Sequence, residues 1–227
     1  MRRLLIVPIV HSQTDLGSLT EAVNATKEVA LGGARAAATR RTIQQFWDDL
    51  QLVLLSMELP CDRLLVYQDG LPVIENQALQ IEKQIVSELA RGGSPNHRIV
   101  MGLLERGAGL VGTESPALLL KEYEAIRKSL AAGFRASEHE VQGSSDELKS
   151  DSSQTELQAS ETTPPALSLL EQRDHFIAER IDKTLGEDQV GVLFIGLAHR
   201  VESILVDDIE VTYPVGRPSD QLACSAR

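Results

Sequence analysis

Aliphatic runs and amphipathic stretches alternate along most of this chain, and that alternation predicts strands and helices in turn. Residues 2–10 are a continuous apolar run, broken by His11-Ser12-Gln13-Thr14-Asp15 as the end of a buried strand would be. A long helical stretch is expected over 19–57, divided or kinked at Gly32-Gly33. Within it Phe46, Trp47, Leu50, Val53 and Leu54 form an apolar stripe, read as core. A second strand is predicted over 63–67 and is halted by Gln68-Asp69-Gly70-Leu71-Pro72. A helix over 77–90 should stop at Gly92-Gly93, and Ser94-Pro95-Asn96 opens another that runs to about 106.

The second half repeats the scheme. Residues 108–112 predict a short strand ending in Thr113-Glu114-Ser115-Pro116, with Pro116 suited to the first turn of a helix reaching about 131. A helix over 167–185 stops at Gly186, and 191–196 is the most hydrophobic strand signal, closing on Leu197-Ala198-His199. A last strand is expected over 209–213. Between these, 137–165 is Ser, Glu, Gln, Asp and Thr with a Pro-Pro at its end, too poor in large apolar residues to offset its ordering entropy. It is read as a flexible insertion within a single α/β domain spanning 1–227. Strands separated by helices imply crossover connections and a mainly parallel sheet flanked by helices.

Composition adds limits. The 227 residues are 42% hydrophobic but only 4% aromatic, enough for one aliphatic core and unlike an all-β sandwich. A formal net charge of −11 repels phosphate backbones and anionic membranes, so neither a nucleic-acid nor a membrane partner is expected. Met1-Arg2-Arg3 followed by Leu4-Leu5-Ile6-Val7 imitates a signal peptide. The run is too short and lacks a small-residue cleavage site, so a strand is the better reading. No window reaches the length of a transmembrane helix. Cys61 and Cys224 have no metal spacing and imply no disulfide framework. The expected home is the cytoplasm, and self-association is left open.

Ligands of open α/β sheets bind beyond the carboxyl ends of the strands, where loops converge and helix N-termini point. Four predicted strands end in an ionisable residue: His11, Asp69, Glu114 and His199. Each also has an ordinary explanation. Asp69 sits in an Asp-Gly turn signal, and Glu114 could be a charge favoured by a helix dipole. Four together favour a shared site. Asp15, four residues beyond His11, could orient it or touch substrate. His97 and His175 are read as structural, and His139 falls in the insertion. His11, Glu114 and His199 form the ligand set of a divalent metal (Zn, Mn or Fe) with an open position. The same trio also works without metal, one histidine as general base and the carboxylate holding its tautomer. No GxSxG elbow, P-loop or GxGxxG supports a serine hydrolase, an NTPase or a Rossmann dehydrogenase.

Gly196-Leu197-Ala198-His199 resembles the GxxH motif of the TraB/PrgY/GumN–Tiki superfamily, which is related to the erythromycin esterase and ChaN-like proteins. A second such motif follows the first strand in that group. Here it is Pro8-Ile9-Val10-His11, with Pro where the group has Gly. Glu114 in Gly112-Thr113-Glu114-Ser115 looks like a candidate for the group's acidic site residue, and Gln172-Arg173-Asp174 with Ile177-Ala178 resembles its helix-borne Arg-Asn/Asp element. The resemblance implies an α/β fold with a site between the histidine motifs. Activities in the group include metal-dependent peptide cleavage, ester hydrolysis and haem binding.

The expected function is a hydrolase acting on a small molecule or peptide, metal-dependent or not. Its catalytic residues would be His11, Glu114, Arg173 and His199, with Asp15, Asp69 and Arg173 contacting substrate. Arg173 would hold an anionic group or stabilise developing negative charge. Two other classes stand beside it. One is a non-enzymatic module binding a small ligand or haem in the same crevice. The other is an interaction protein working through 137–165.

Overall fold

The computed structural model describes residues 1–9, 33–74, 78–140 and 167–216. In chain order they form β1 (Arg2–Ile9), α1 (Gly33–Ser56), β2 (Leu64–Pro72), α2 (Ala78–Arg91), α3 (Pro95–Glu105), β3 (Gly109–Glu114), α4 (Pro116–Glu140), α5 (Leu169–Thr184), β4 (Val190–Gly196) and β5 (Ile209–Thr212). The strands make one sheet in the order β3-β2-β4-β1-β5. Every pairing in it is parallel, as the alternation of strands and helices predicts.

From β1 the chain steps past the place of β4 to β2 and on to β3, and after β3 it turns back to β4 and then crosses β1 to β5. The helices change sides with it. On the outward leg α1, α2 and α3 cover one face, where Trp47, Leu50, Leu54, Val86, Ile99, Val100 and Leu103 pack on Leu5, Val7, Val66, Leu110, Val192 and Phe194. On the return leg α5 covers the other, with Ile177, Ala178 and Ile181 on Leu4, Ile6, Tyr67, Leu193 and Ile195. Reversing direction and face together keeps the crossovers of one hand, as parallel βαβ units require. Alternate residues of β1 and β4 feed the two cores, so these strands are apolar at nearly every position. All seven residues of β4 are buried. The Trp47 stripe is core, as expected.

Helix starts follow the sequence signals. The Ser94 hydroxyl accepts from the His97 amide ahead of Pro95, and its contact with His97 Nδ1 at 2.7 Å gives that histidine the structural place expected of it. Ser168 and Glu171 close a reciprocal capping box on α5.

Two strand ends differ from expectation. The segment Gln68-Asp69-Gly70-Leu71-Pro72 is no turn: β2 runs through it, with an irregular register between Gln68 and Pro72. Gly70, at φ 77°, supplies the left-handed residue that an irregularity of this kind needs. Pairing resumes at Pro72 opposite Glu114, so β3 also extends two residues past its predicted end. The two strands approach so closely there that a Cβ on Gly112 would lie 2.6 Å from the Pro72 carbonyl oxygen.

The predicted insertion begins inside α4, which continues to Glu140, and the rest of 137–165 up to Pro165 lies outside the described residues. So does the first part of the helix expected over 19–57. No helix among the described residues is long and apolar enough to cross a membrane.

Candidate active site

Four elements bring polar side chains together at the carboxyl end of the sheet. The irregular end of β2 supplies Asp69, the last residue of β3 is Glu114, and His199 follows β4 by three residues. Beside them α5 carries Arg173 and Asp174 one turn before Ile177 and Ala178, on the same buried stripe. That stripe faces the sheet, so a charge at its N-terminal end is delivered to the strand ends.

The geometry is closely knit. Arg173 is buried and its guanidinium serves three carboxylates. Nε and Nη2 donate to the two oxygens of Glu114 at 3.2 and 2.7 Å, Nη2 also donates to Asp69 Oδ1 at 2.8 Å, and Nη1 donates to Glu122 of α4 at 2.5 Å. The other Asp69 oxygen accepts from the Gly196 amide at 2.9 Å, where β4 ends. The imidazole of His199 is held from behind, its Nδ1 2.5 Å from Asp174 Oδ1, while the second oxygen of Asp174 accepts from the Arg200 amide at 2.9 Å. This contact assigns the proton to Nδ1 and leaves Nε2 without a hydrogen-bond partner among the described residues, 3.7 Å from Asp69 Oδ2.

The Asp69 and Glu114 carboxyls meet on the same guanidinium and influence each other's ionisation. Burial pushes Glu114 up to about 7 against the pull of Arg173, and the neighbouring Asp69 charge adds to the rise. Burial acts on Asp69 too, but His199, Arg173 and the Gly196 amide outweigh it and hold that carboxyl below its ordinary range. Two adjacent carboxyls are thus driven apart, the arrangement that separates acid from base in active sites. Exposure divides their roles. Glu114 is 0% exposed, whereas the side chains of His199 (5%) and Asp69 (6%) keep slight access to solvent.

The structure brings together Asp69, Glu114, Arg173 and His199 of the residues expected from sequence. His11 and Asp15 lie outside the described residues, so the predicted metal set of His11, Glu114 and His199 is described only in its last two members. Asp69, Glu114 and His199 each offer one ligand atom, all within 4.8 Å of one another, a spacing suited to a divalent cation. Sequence reasoning missed the roles of Asp174 and Glu122. Asp174 left a signal, since it and Arg173 interrupt an otherwise apolar helix stripe at adjacent positions. Glu122 left none, being one of many charges on an exposed helix. His175 is exposed on α5, away from the buried stripe.

What fold and site define is an α/β protein with a buried imidazole–carboxylate–guanidinium cluster at the carboxyl edge of a parallel sheet. No family model, curated protein or solved structure matches the chain.

Proposed function

We propose that this protein is a hydrolase whose general base is His199. The observation that carries the reading is an Nδ1 fixed by a buried carboxylate on a ring whose Nε2 has no hydrogen-bond partner among the described residues, at the strand ends where α/β sheets bind ligands. Asp174 holds the tautomer and stabilises the imidazolium that forms when Nε2 takes a proton from water. Asp69, 3.7 Å from Nε2, is the carboxylate beside which that water would lie. Arg173 is the positioning residue: without it, Asp69 and Glu114 would face each other buried and uncompensated. The resemblance of Gly196-Leu197-Ala198-His199 to the GxxH motif of the TraB/PrgY/GumN–Tiki superfamily supports the same reading, with a small-molecule or peptide substrate.

One observation favours a second form of the mechanism. The ligand-atom spacing of Asp69, Glu114 and His199 fits a divalent cation such as Zn, Mn or Fe, and a histidine braced by a carboxylate is the usual orientation of a metal-bound imidazole. Bound there, the cation would lower the pKa of a water. The bidentate grip of Arg173 on Glu114 weighs toward the metal-free form, because a cation would have to share that carboxylate with a guanidinium.

A screen of ester, amide and phosphoester substrates, run with and without Zn²⁺ or Mn²⁺ beside chelator-treated protein, tests the proposal. Turnover that survives the chelator and is lost in His199→Ala supports the base mechanism. Turnover that needs the metal, with near-stoichiometric metal by mass spectrometry, supports the second form. Turnover unchanged in His199→Ala overturns both.

A further inference from the structure

The three carboxylates on Arg173 are not equivalent. Glu114 is fully buried on β3 and grips two guanidinium nitrogens, and Asp69 is pinned on its far side by the Gly196 amide. Both are fixed by the sheet. Glu122 comes instead from α4, its side chain is 37% exposed, and it meets the cluster through Nη1 alone. The residues after it on α4, from Tyr123 to Lys128, are exposed, so little packing holds that part of the helix down. Nη1 is therefore the corner of the guanidinium whose partner reaches solvent.

We infer that Glu122 occupies the seat of an anionic group on the substrate, a carboxylate or a phosphate, which replaces it on Arg173 Nη1. The inference rests on the hydrolase reading of this site and adds the substrate class. Three observations carry it. The guanidinium already accepts a third anion there, so the local charge tolerates one. Glu122 is the one carboxylate of the three that keeps substantial contact with water, so its exchange for another anion desolvates least and leaves the two buried partners in place. Finally, Asp69 accepts from Arg173 Nη2 at one oxygen and lies 3.7 Å from His199 Nε2 at the other, so an anion on the same guanidinium sits one carboxylate away from the imidazole. The planar fork of arginine suits carboxylate and phosphate alike.

Calorimetric titration of inorganic phosphate and of acetate tests this on the wild type, Glu122→Gln and Glu124→Gln. Glu124→Gln removes the same charge from the same helix, at an exposed position. Glu122→Gln should bind one of the two anions about fivefold more tightly than the wild type does. Glu124→Gln should match the wild type. The anion that gains identifies the group, and Glu122→Ala should reproduce the gain and so exclude an effect of the glutamine itself. No gain in Glu122→Gln, no binding to any variant, or an equal gain in Glu124→Gln overturns the inference. Because the readout is anion binding and not turnover, failure of the hydrolase proposal would show separately.

Discussion

Two arginines, at opposite ends of the same sheet, each hold a set of carboxylates, and the sets behave differently. Arg2 at the start of β1 reaches Asp182 on α5 at 2.8 Å and Asp208 before β5 at 2.7 Å, partners whose side chains are 45% and 58% exposed. Arg173 holds Asp69 and Glu114, which are 6% and 0% exposed. The chemistry is the same and the solvent is not. At the amino end water screens the charges and the cluster acts as a clip between strand and helix. At the carboxyl end burial raises Glu114 to about 7, while Asp69, which burial also pushes up, is held low by His199, Arg173 and the Gly196 amide. A salt bridge by itself is thus no sign of a site. Burial, unequal carboxyls and an imidazole oriented by a carboxylate are what distinguish one end from the other.

The widest gap between the two ends should appear on removing each arginine. Arg173→Met strands two carboxyls in the interior and should cost about 3–5 kcal/mol in urea unfolding. Arg2→Met should cost far less, because its carboxylates turn to water. Equal losses would mean that burial does not separate the two clusters.

Glu114→Gln sharpens it through pH. The folded protein keeps the Glu114 proton up to about 7, whereas the unfolded chain releases it near 4.5. Its contribution to stability therefore declines as pH rises from about 4.5 to 7 and is level above that. Gln keeps the shape of the protonated acid and never ionises. The variant should be ahead of the wild type by on the order of 2 kcal/mol at pH 8 and close to it near pH 4.5, followed by urea unfolding across that range. A constant difference would mean that Glu114 titrates normally.

Asp174→Asn is the subtler perturbation. The amide can still contact Nδ1 but no longer favours the tautomer with Nε2 free, so turnover should fall roughly 10–100-fold while the fold persists. The ring ¹⁵N resonances of His199 should report a changed tautomer, which loss of packing alone would not produce.

Much of the fold is legible in the amino-acid sequence, because apolar runs and helix signals are local. Parallel strands buried on both faces announce themselves as unbroken aliphatic runs, and β1 and β4 do so plainly. What is not legible is non-local. The irregularity in β2 depends on the pairing of Pro72 with Glu114, 42 residues apart in the sequence, so Gln68-Asp69-Gly70 reads as an ordinary turn. In the site, Asp69, Glu114, Arg173 and His199 can be named because strand ends and a charged helix position mark them. Their mutual contacts cannot. Glu122 is invisible, since nothing in its sequence neighbours separates it from Glu124.

The most direct test of the account is one rate comparison. On the best substrate from the ester, amide and phosphoester screen, initial rates would be measured for the wild type, His199→Ala and Arg2→Met, each checked for folding by circular dichroism. His199→Ala should be folded and without turnover above background, while Arg2→Met, altered at the opposite end of the same sheet, should keep wild-type turnover. Retained turnover in His199→Ala, or equal loss in Arg2→Met, would contradict the claim that chemistry resides at the carboxyl end of the sheet.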